Sequence, residues 1–187
     1  MTAIPLKEFL SLVTAGIARP RPVARMIIDA RPGQGDRLAM VALGGAMQGT
    51  LWALATLLAP SLALGLQGHL MMIAVTFVNY ALTTALALHV GRRFGGQGDP
   101  EQVATAVAWH IILVAALTPL QALAVAGGGV LMLLFYAALN VWLLAACVAE
   151  AHRFASTGKV AAATVGLFLA LGIVLSLLVG GLGGLPQ

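Results

Sequence analysis

Five stretches of this chain are too long and too apolar to belong to a water-soluble domain. A helix rises 1.5 Å per residue, so crossing the hydrocarbon of a bilayer takes roughly 20 apolar residues. Residues 38–59, 70–91, 101–126, 130–150 and 161–182 each meet that requirement. Strands are excluded by the same solvent. An open sheet edge cannot be satisfied in lipid, and a barrel would need alternating polar and apolar residues, which these stretches lack. The expected fold is all-α, a polytopic membrane protein with five transmembrane helices. Composition agrees: only 9% of residues are charged and 60% are hydrophobic, whereas soluble domains carry about 25% charged residues. Connections between the stretches are short, so consecutive helices should run antiparallel.

The ten basic residues sort cleanly along this pattern. Lys7, Arg19, Arg21, Arg25, Arg31 and Arg37 precede the first stretch, Arg92 and Arg93 follow the second, and Arg153 and Lys159 follow the fourth. The loops after the first and third stretches and the C-terminal tail have none. Basic loops stay on the cytoplasmic side. The expectation is therefore a multi-pass protein of the cell inner (plasma) membrane, with a cytoplasmic N-terminus and a periplasmic or extracellular C-terminus. The pI near 10 then reports topology and contact with the lipid bilayer. No nucleic acid partner is expected.

Residues 1–37 form a cytoplasmic amphipathic segment ahead of a transmembrane domain over 38–187. Lys7 and Glu8 interrupt the early apolar run, so it reads as retained and not as a signal peptide. Leu6, Phe9, Leu10, Val13 and Ile17, and then Val23, Met26 and Ile27, recur at helical spacing between Pro5, Pro20, Pro22 and Pro32. One or two amphipathic helices follow from that spacing. They either lie at the interface with arginines toward anionic headgroups or pack under the bundle, since both placements need one apolar and one basic face. Arg19, Arg21, Arg25, Arg92 and Arg93 are the candidate headgroup contacts.

The loop RRFGGQGDPEQ, starting at Arg92, reads as a capped hairpin between the second and third spans. Arg92 and Arg93 suit the negative end of the preceding helix dipole. Gly95, Gly96 and Gly98 supply the turn. Asp99 is an N-cap, Pro100 stands at the first helical position and Gln102 completes a capping-box pattern.

Within the spans, polar groups are few. Gln48, Asn79, His110 and Asn140 each fall roughly 14–18 Å from the basic end of their helix, close to mid-bilayer. If they face inward they form one shared polar layer. Its two readings are hydrogen-bonded glue between helices, worth about 0.6 kcal/mol per bond, and a ligand or proton site, because ionisable intramembrane residues such as His110 are functional candidates. Pro119 is expected to kink the third span and free the carbonyl of Ala115, with the Thr118 hydroxyl or a neighbouring helix compensating. Gly45 and Gly49 form a GxxxG that reads as close packing within the bundle rather than as a homodimer face.

Glu150, His152 and Arg153 cluster at the end of the fourth span, where Glu150 and Arg153 at i, i+3 are expected to pair. Too few ligands surround them for a metal site. Cys147 has no partner for an intrachain disulfide. Walker, HExxH, GxSxG, CxxC and dinucleotide motifs are all absent from the sequence, so no enzyme, cofactor or metal is expected. Paired intramembrane carboxylates and matched halves, the marks of many secondary transporters, are also missing.

The loop RRFGGQGDPEQVATAVAWH, the pair Thr118-Pro119, the run NVWLLAACVAEAHRF and the apolar fifth stretch together resemble bacterial members of the Ypt-interacting-protein (YIP) family of five-span membrane proteins. The resemblance covers most of the chain and implies a five-helix bundle with a cytoplasmic N-terminus. Eukaryotic relatives look like adaptors that engage prenylated small GTPases. This chain has only a short basic N-terminal segment in place of their longer cytoplasmic region, so GTPase binding and functional residues are not carried over.

The functional expectation is an integral membrane scaffold, assembly factor or accessory subunit, with lipids, a membrane-protein partner or a second copy of the chain as its partners. The alternative is a small-solute or lipid transporter that uses the Gln48, Asn79, His110 and Asn140 layer. A third reading is a membrane-surface sensor acting through Arg19, Arg21 and Arg25.

Overall fold

The computed structural model describes residues 5–167 and residue 169, and these hold helices and no strand. The chain opens with α1 (Leu6–Ala18) and α2 (Pro20–Asp29). Proline at the first position of α2 costs no hydrogen bond, and its ring forces Arg19 out of helical geometry (φ −137°, ψ 68°), which ends α1. Then come α3 (Gln34–Thr56), a 3₁₀ turn at Pro60–Leu62, α4 (Leu66–Arg93), α5 (Pro100–Ala116), α6 (Thr118–Leu123) and α7 (Gly129–Ala151). A last helical run covers 157–167.

α3, α4 and α7 are each long and apolar enough to cross a membrane. They correspond to the expected spans 38–59, 70–91 and 130–150. α3 begins four residues before its apolar stretch, because the Asp36 carboxylate accepts from the Gly33 N–H and Arg37 turns back to donate to the Pro32 carbonyl. The expected third span is broken. α5 and the helix that follows are bent by 52°, and counted as one crossing they bring the total to four. The expected fifth span, 161–182, lies mostly outside the described residues.

The break sits where Pro119 removes the N–H that would have reached the Ala115 carbonyl. Leu117 leaves helical geometry (φ −88°, ψ 1°) and donates to Val114 instead. The expected compensation by Thr118 does not occur: its hydroxyl is fully buried and has no partner among the described residues.

α5 is the axis of the bundle. Every residue from Thr105 to Leu113 is buried, and α1, α2, α3, α4 and α7 all pack on it. A helix apolar around its whole circumference belongs at the centre. Lipid provides no hydrophobic drive between helices, so close backbone approach has to supply the attraction. Gly44 of α3 provides it on one side, where an added Cβ would lie 2.6 Å from the Ile111 side chain. Gly16 of α1 does so on another, where the same atom would lie 2.8 Å from Leu113 and 2.9 Å from Trp109. Gly45 approaches Ile73 and Thr76 of α4, so the small residues of the GxxxG serve packing within the chain.

The N-terminal helices pack on the bundle. Val13, Val23, Ala24 and Ile28 share one buried cluster with Trp109, Leu113, Leu143 and Cys147. Leu6, Leu10 and Met26 stay exposed on the outer side of the same helices.

Gly44→Ala should lower the melting temperature of the purified protein, because overpacking a tight contact costs about 1–3 kcal/mol. Gly35→Ala, where an added Cβ meets nothing within 4 Å, should leave it unchanged or slightly raised. Equal melting for both variants would remove the close approach from the account of how α3 and α5 pack.

Candidate functional site

Gln48, Asn79, His110 and Asn140, chosen from sequence by depth alone, all line one cleft of about 970 Å³. α3, α4, α5 and α7 contribute one each. Three hydroxyl-bearing side chains join them, Thr76, Thr83 and Tyr136, along with the Trp142 indole. Sequence reasoning missed these three, although helical spacing marks them. Thr76, Asn79 and Thr83 fall at i, i+3 and i+7 on one face of α4, and Tyr136 and Asn140 at i and i+4 on α7.

Some of this capacity is satisfied locally. The Thr76 hydroxyl donates to the Met72 carbonyl, and Thr83 donates to the Asn79 side-chain oxygen at 2.8 Å. His110 differs. It lies beside Asn140 and is 8% exposed, yet its Nε2 has no hydrogen-bond partner among the described residues. A buried polar atom left unpaired costs about 1–3 kcal/mol. No charged residue is among those lining the cleft. Asn79 and Trp142 are exposed, so the cleft opens at the side of the bundle.

A second cluster closes the end of the bundle where the basic residues gather. Glu150 in the last turn of α7 is 9% exposed. Its pairing with Arg153, expected from i, i+3 spacing, is not formed. Arg153 adopts a left-handed backbone (φ 59°) that leaves the helical ladder. Glu150 instead receives two arginines from α2: Arg21 Nε at 3.0 Å on one carboxylate oxygen and Arg25 Nε at 2.6 Å on the other. Arg21 also donates to the carbonyls of Phe154 and Ala155 at 2.8 and 3.1 Å. The i, i+4 spacing of the two arginines puts both on one face of α2, and that face meets a single carboxylate.

These bonds change the reading of the headgroup contacts. Arg21 has all its guanidinium nitrogens committed within the protein, so it is a tether and no longer a free contact for lipid. Arg25 shares that tether while remaining exposed. A surface sensor built on Arg19, Arg21 and Arg25 together loses its second member. Arg19, Arg92 and Arg93 are exposed.

His152 is 1% exposed, and the glycine loop is built around it. The Gly98 N–H donates to Nδ1 at 3.2 Å, and Nε2 donates to the Ala87 carbonyl at 3.0 Å. This pair of bonds specifies the neutral imidazole with its proton on Nε2. A Cβ at Gly91 would collide with the ring, and one at Gly96 would lie 2.5 Å from Nδ1. Among the loop glycines expected only to turn, Gly95 does so with φ 80°, while Gly96 and Gly98 make room for the ring. Burial holds His152 below the ordinary imidazole range. Its bond to the Ala87 carbonyl works the other way, and the Arg92 charge adds to the lowering. The capping of α5 follows the sequence pattern, with Asp99 accepting from the Gln102 N–H at 2.8 Å.

Among the described residues no group of three or more His, Cys, Asp or Glu side chains could hold a metal, and Cys147 is buried and free. The Yip1 domain profile matches residues 15–179. No curated protein and no solved structure matches the chain.

Two predictions follow from this end of the bundle. Glu150→Ala should lower stability by roughly 1.5–3 kcal/mol, the range for hydrogen bonds to a charged group. Arg21→Ala on top of it should add much less than it does alone, because both remove one interaction. Additive losses in a double-mutant cycle would mean the two side chains act separately. For His152, the unfolded chain takes up a proton near pH 6.5 while the folded one resists it. Stability is therefore fullest above that pH and falls as pH drops toward the folded value. The melting temperature should decline between about pH 7.5 and about pH 5.5, and decline less steeply in His152→Gln.

Proposed function

Because the chain belongs to the Yip1 domain family and carries an uncharged, incompletely satisfied cleft within the membrane, we propose that it is an integral membrane scaffold or accessory subunit that binds a neighbouring membrane component through that cleft. The observation that carries the reading is His110, buried with Nε2 unpaired on the cleft wall. Such a group is worth keeping when a partner supplies the missing hydrogen bond.

The lining selects the partner's chemistry. An ionised group would lose its hydration with no opposite charge to receive it. Amides at Gln48, Asn79 and Asn140, hydroxyls at Thr83 and Tyr136, and the His110 ring suit a neutral group that both donates and accepts. A hydroxyl or amide on a partner helix, or on an uncharged lipid, has that character. The basic end is assigned to the cytoplasm of a cell whose inner membrane holds the protein, since positive residues remain on that side. No catalytic step or cofactor enters this reading, and no GTPase contact is carried over from the family.

Transport of a small solute or lipid is the second reading. The size of the cleft and its opening at Asn79 and Trp142 favour it. Flux distinguishes the two, since a scaffold holds its partner and moves nothing across the bilayer.

The test is affinity purification from native membranes in mild detergent, with mass spectrometry of proteins and lipids retained. A component held by the wild type should fall by about tenfold or more in His110→Leu and Asn140→Leu, the loss of roughly one good hydrogen bond in an apolar setting. An unchanged set of retained components in both variants would end the proposal.

A further inference from the structure

The basic end holds a second, separate groove that neither the clasp nor the mid-membrane cleft explains. Its volume is about 490 Å³. It lies between the end of α4, the last turn of α7 and the helical run 157–167, and its walls are mostly apolar: Ala87, Val90, Phe94, Val160, Ala163 and Leu167 among them. Lys159 is the one charged residue among those lining it. Arg92 and Arg93 fall between the lining residues Gly91 and Phe94, and both are exposed.

The charge on the walls of this groove is positive. The nearest carboxylate on α7, Glu150, is taken by Arg21 and Arg25. Arg92, Arg93, Arg153 and Lys159 thus stand at the same end with no ion pair among the described residues. The groove is also held open by design of its walls. Arg21 fixes the Phe154 and Ala155 carbonyls on one side, and the His152 ring braces Ala87 and the glycine loop on the other. An apolar slot with a lysine on its wall and two exposed arginines beside it suits one amphiphile, with a hydrocarbon chain and an anionic group.

The geometry points to a specific site for one anionic phospholipid, its acyl chain in the groove and its phosphate at Lys159 with Arg92 and Arg93. The lining supports a lipid over a soluble phosphate, because most of it is hydrocarbon and Lys159 is its one charged residue. A partner helix suits the groove less well, since a helix is about 10 Å across with its side chains and the slot is bounded by three helix ends. This site is independent of the mid-membrane cleft and stands or falls without it.

The experiment is native mass spectrometry of the full chain, delipidated in neutral detergent and titrated with phosphatidylglycerol or phosphatidylcholine of equal chain length. The expected result is one tightly held phosphatidylglycerol per chain, not displaced by excess phosphatidylcholine or by glycerol phosphate. Lys159→Gln should weaken it about fivefold, the effect of one lysine at a membrane surface. Ala163→Trp, which fills the groove while keeping every charge, should abolish the tight equivalent. Arg19→Gln, which removes an exposed cation elsewhere, and His110→Leu, which alters the other cleft, should leave it unchanged. Equal retention of the two lipids by the wild type would overturn the site without any variant being needed. So would displacement by glycerol phosphate, or equal weakening by Lys159→Gln and Arg19→Gln, which would reduce the effect to general surface charge.

Discussion

The end of α7 carries Glu150 in its last turn and His152 just after it, and the elements at the basic end are fastened to one or the other. Glu150 draws in α2 through Arg21 and Arg25. His152 draws in the end of α4 through the Ala87 carbonyl and the glycine loop through the Gly98 N–H. The loop in turn delivers Asp99, which caps α5, the axis of the bundle. Two side chains on one helix end thus set the positions of α2, α4 and α5. The chemistry suits the place. A buried carboxylate costs free energy unless paired, and a buried imidazole is tolerated as the neutral form with both nitrogens bonded. Both conditions are met, so this end can be dense and polar where it meets the lipid interface.

Away from that end the bundle is held differently. In the membrane interior the hydrophobic effect is spent, and attraction between helices comes from contact. Gly44 against Ile111 and Gly16 against Trp109 and Leu113 show how this chain obtains it. The polar cleft is the exception to that density. Four helices each bring a hydrogen-bonding group to one cleft, and not every polar atom there is paired. His110 is the clearest case. His152 is bonded at both ring nitrogens, whereas His110 keeps an unpaired Nε2 on the wall of the cleft.

Three of the apolar spans, the basic-end asymmetry and the α5 cap were legible in the sequence because each depends on local properties. Length and hydropathy decide a span, and Asp99-Pro100 with Gln102 decides a cap. The polar layer was legible for a related reason: a helix converts residue number into depth at a constant rise, so Gln48, Asn79, His110 and Asn140 could be placed at one level before their faces were known. Thr76, Thr83 and Tyr136 were readable from helical spacing with Asn79 and Asn140. Glu150 went to the wrong partner. Spacing favours Arg153, and only the left-handed turn after α7 takes that residue away.

By itself the sequence determined that this is an all-helical membrane chain with its positive charge at one end, because lipid solvent leaves no other outcome for long apolar runs. The tertiary structure alone decided what meets across those runs. It put α2 on Glu150, folded three glycines around His152 and turned four scattered polar residues into one cleft. It also left the hydroxyl of Thr118 unpaired at a bend where the sequence offered it a partner. Contacts between residues more than fifty positions apart depend on how helices rotate and approach one another, and local pattern contains neither quantity.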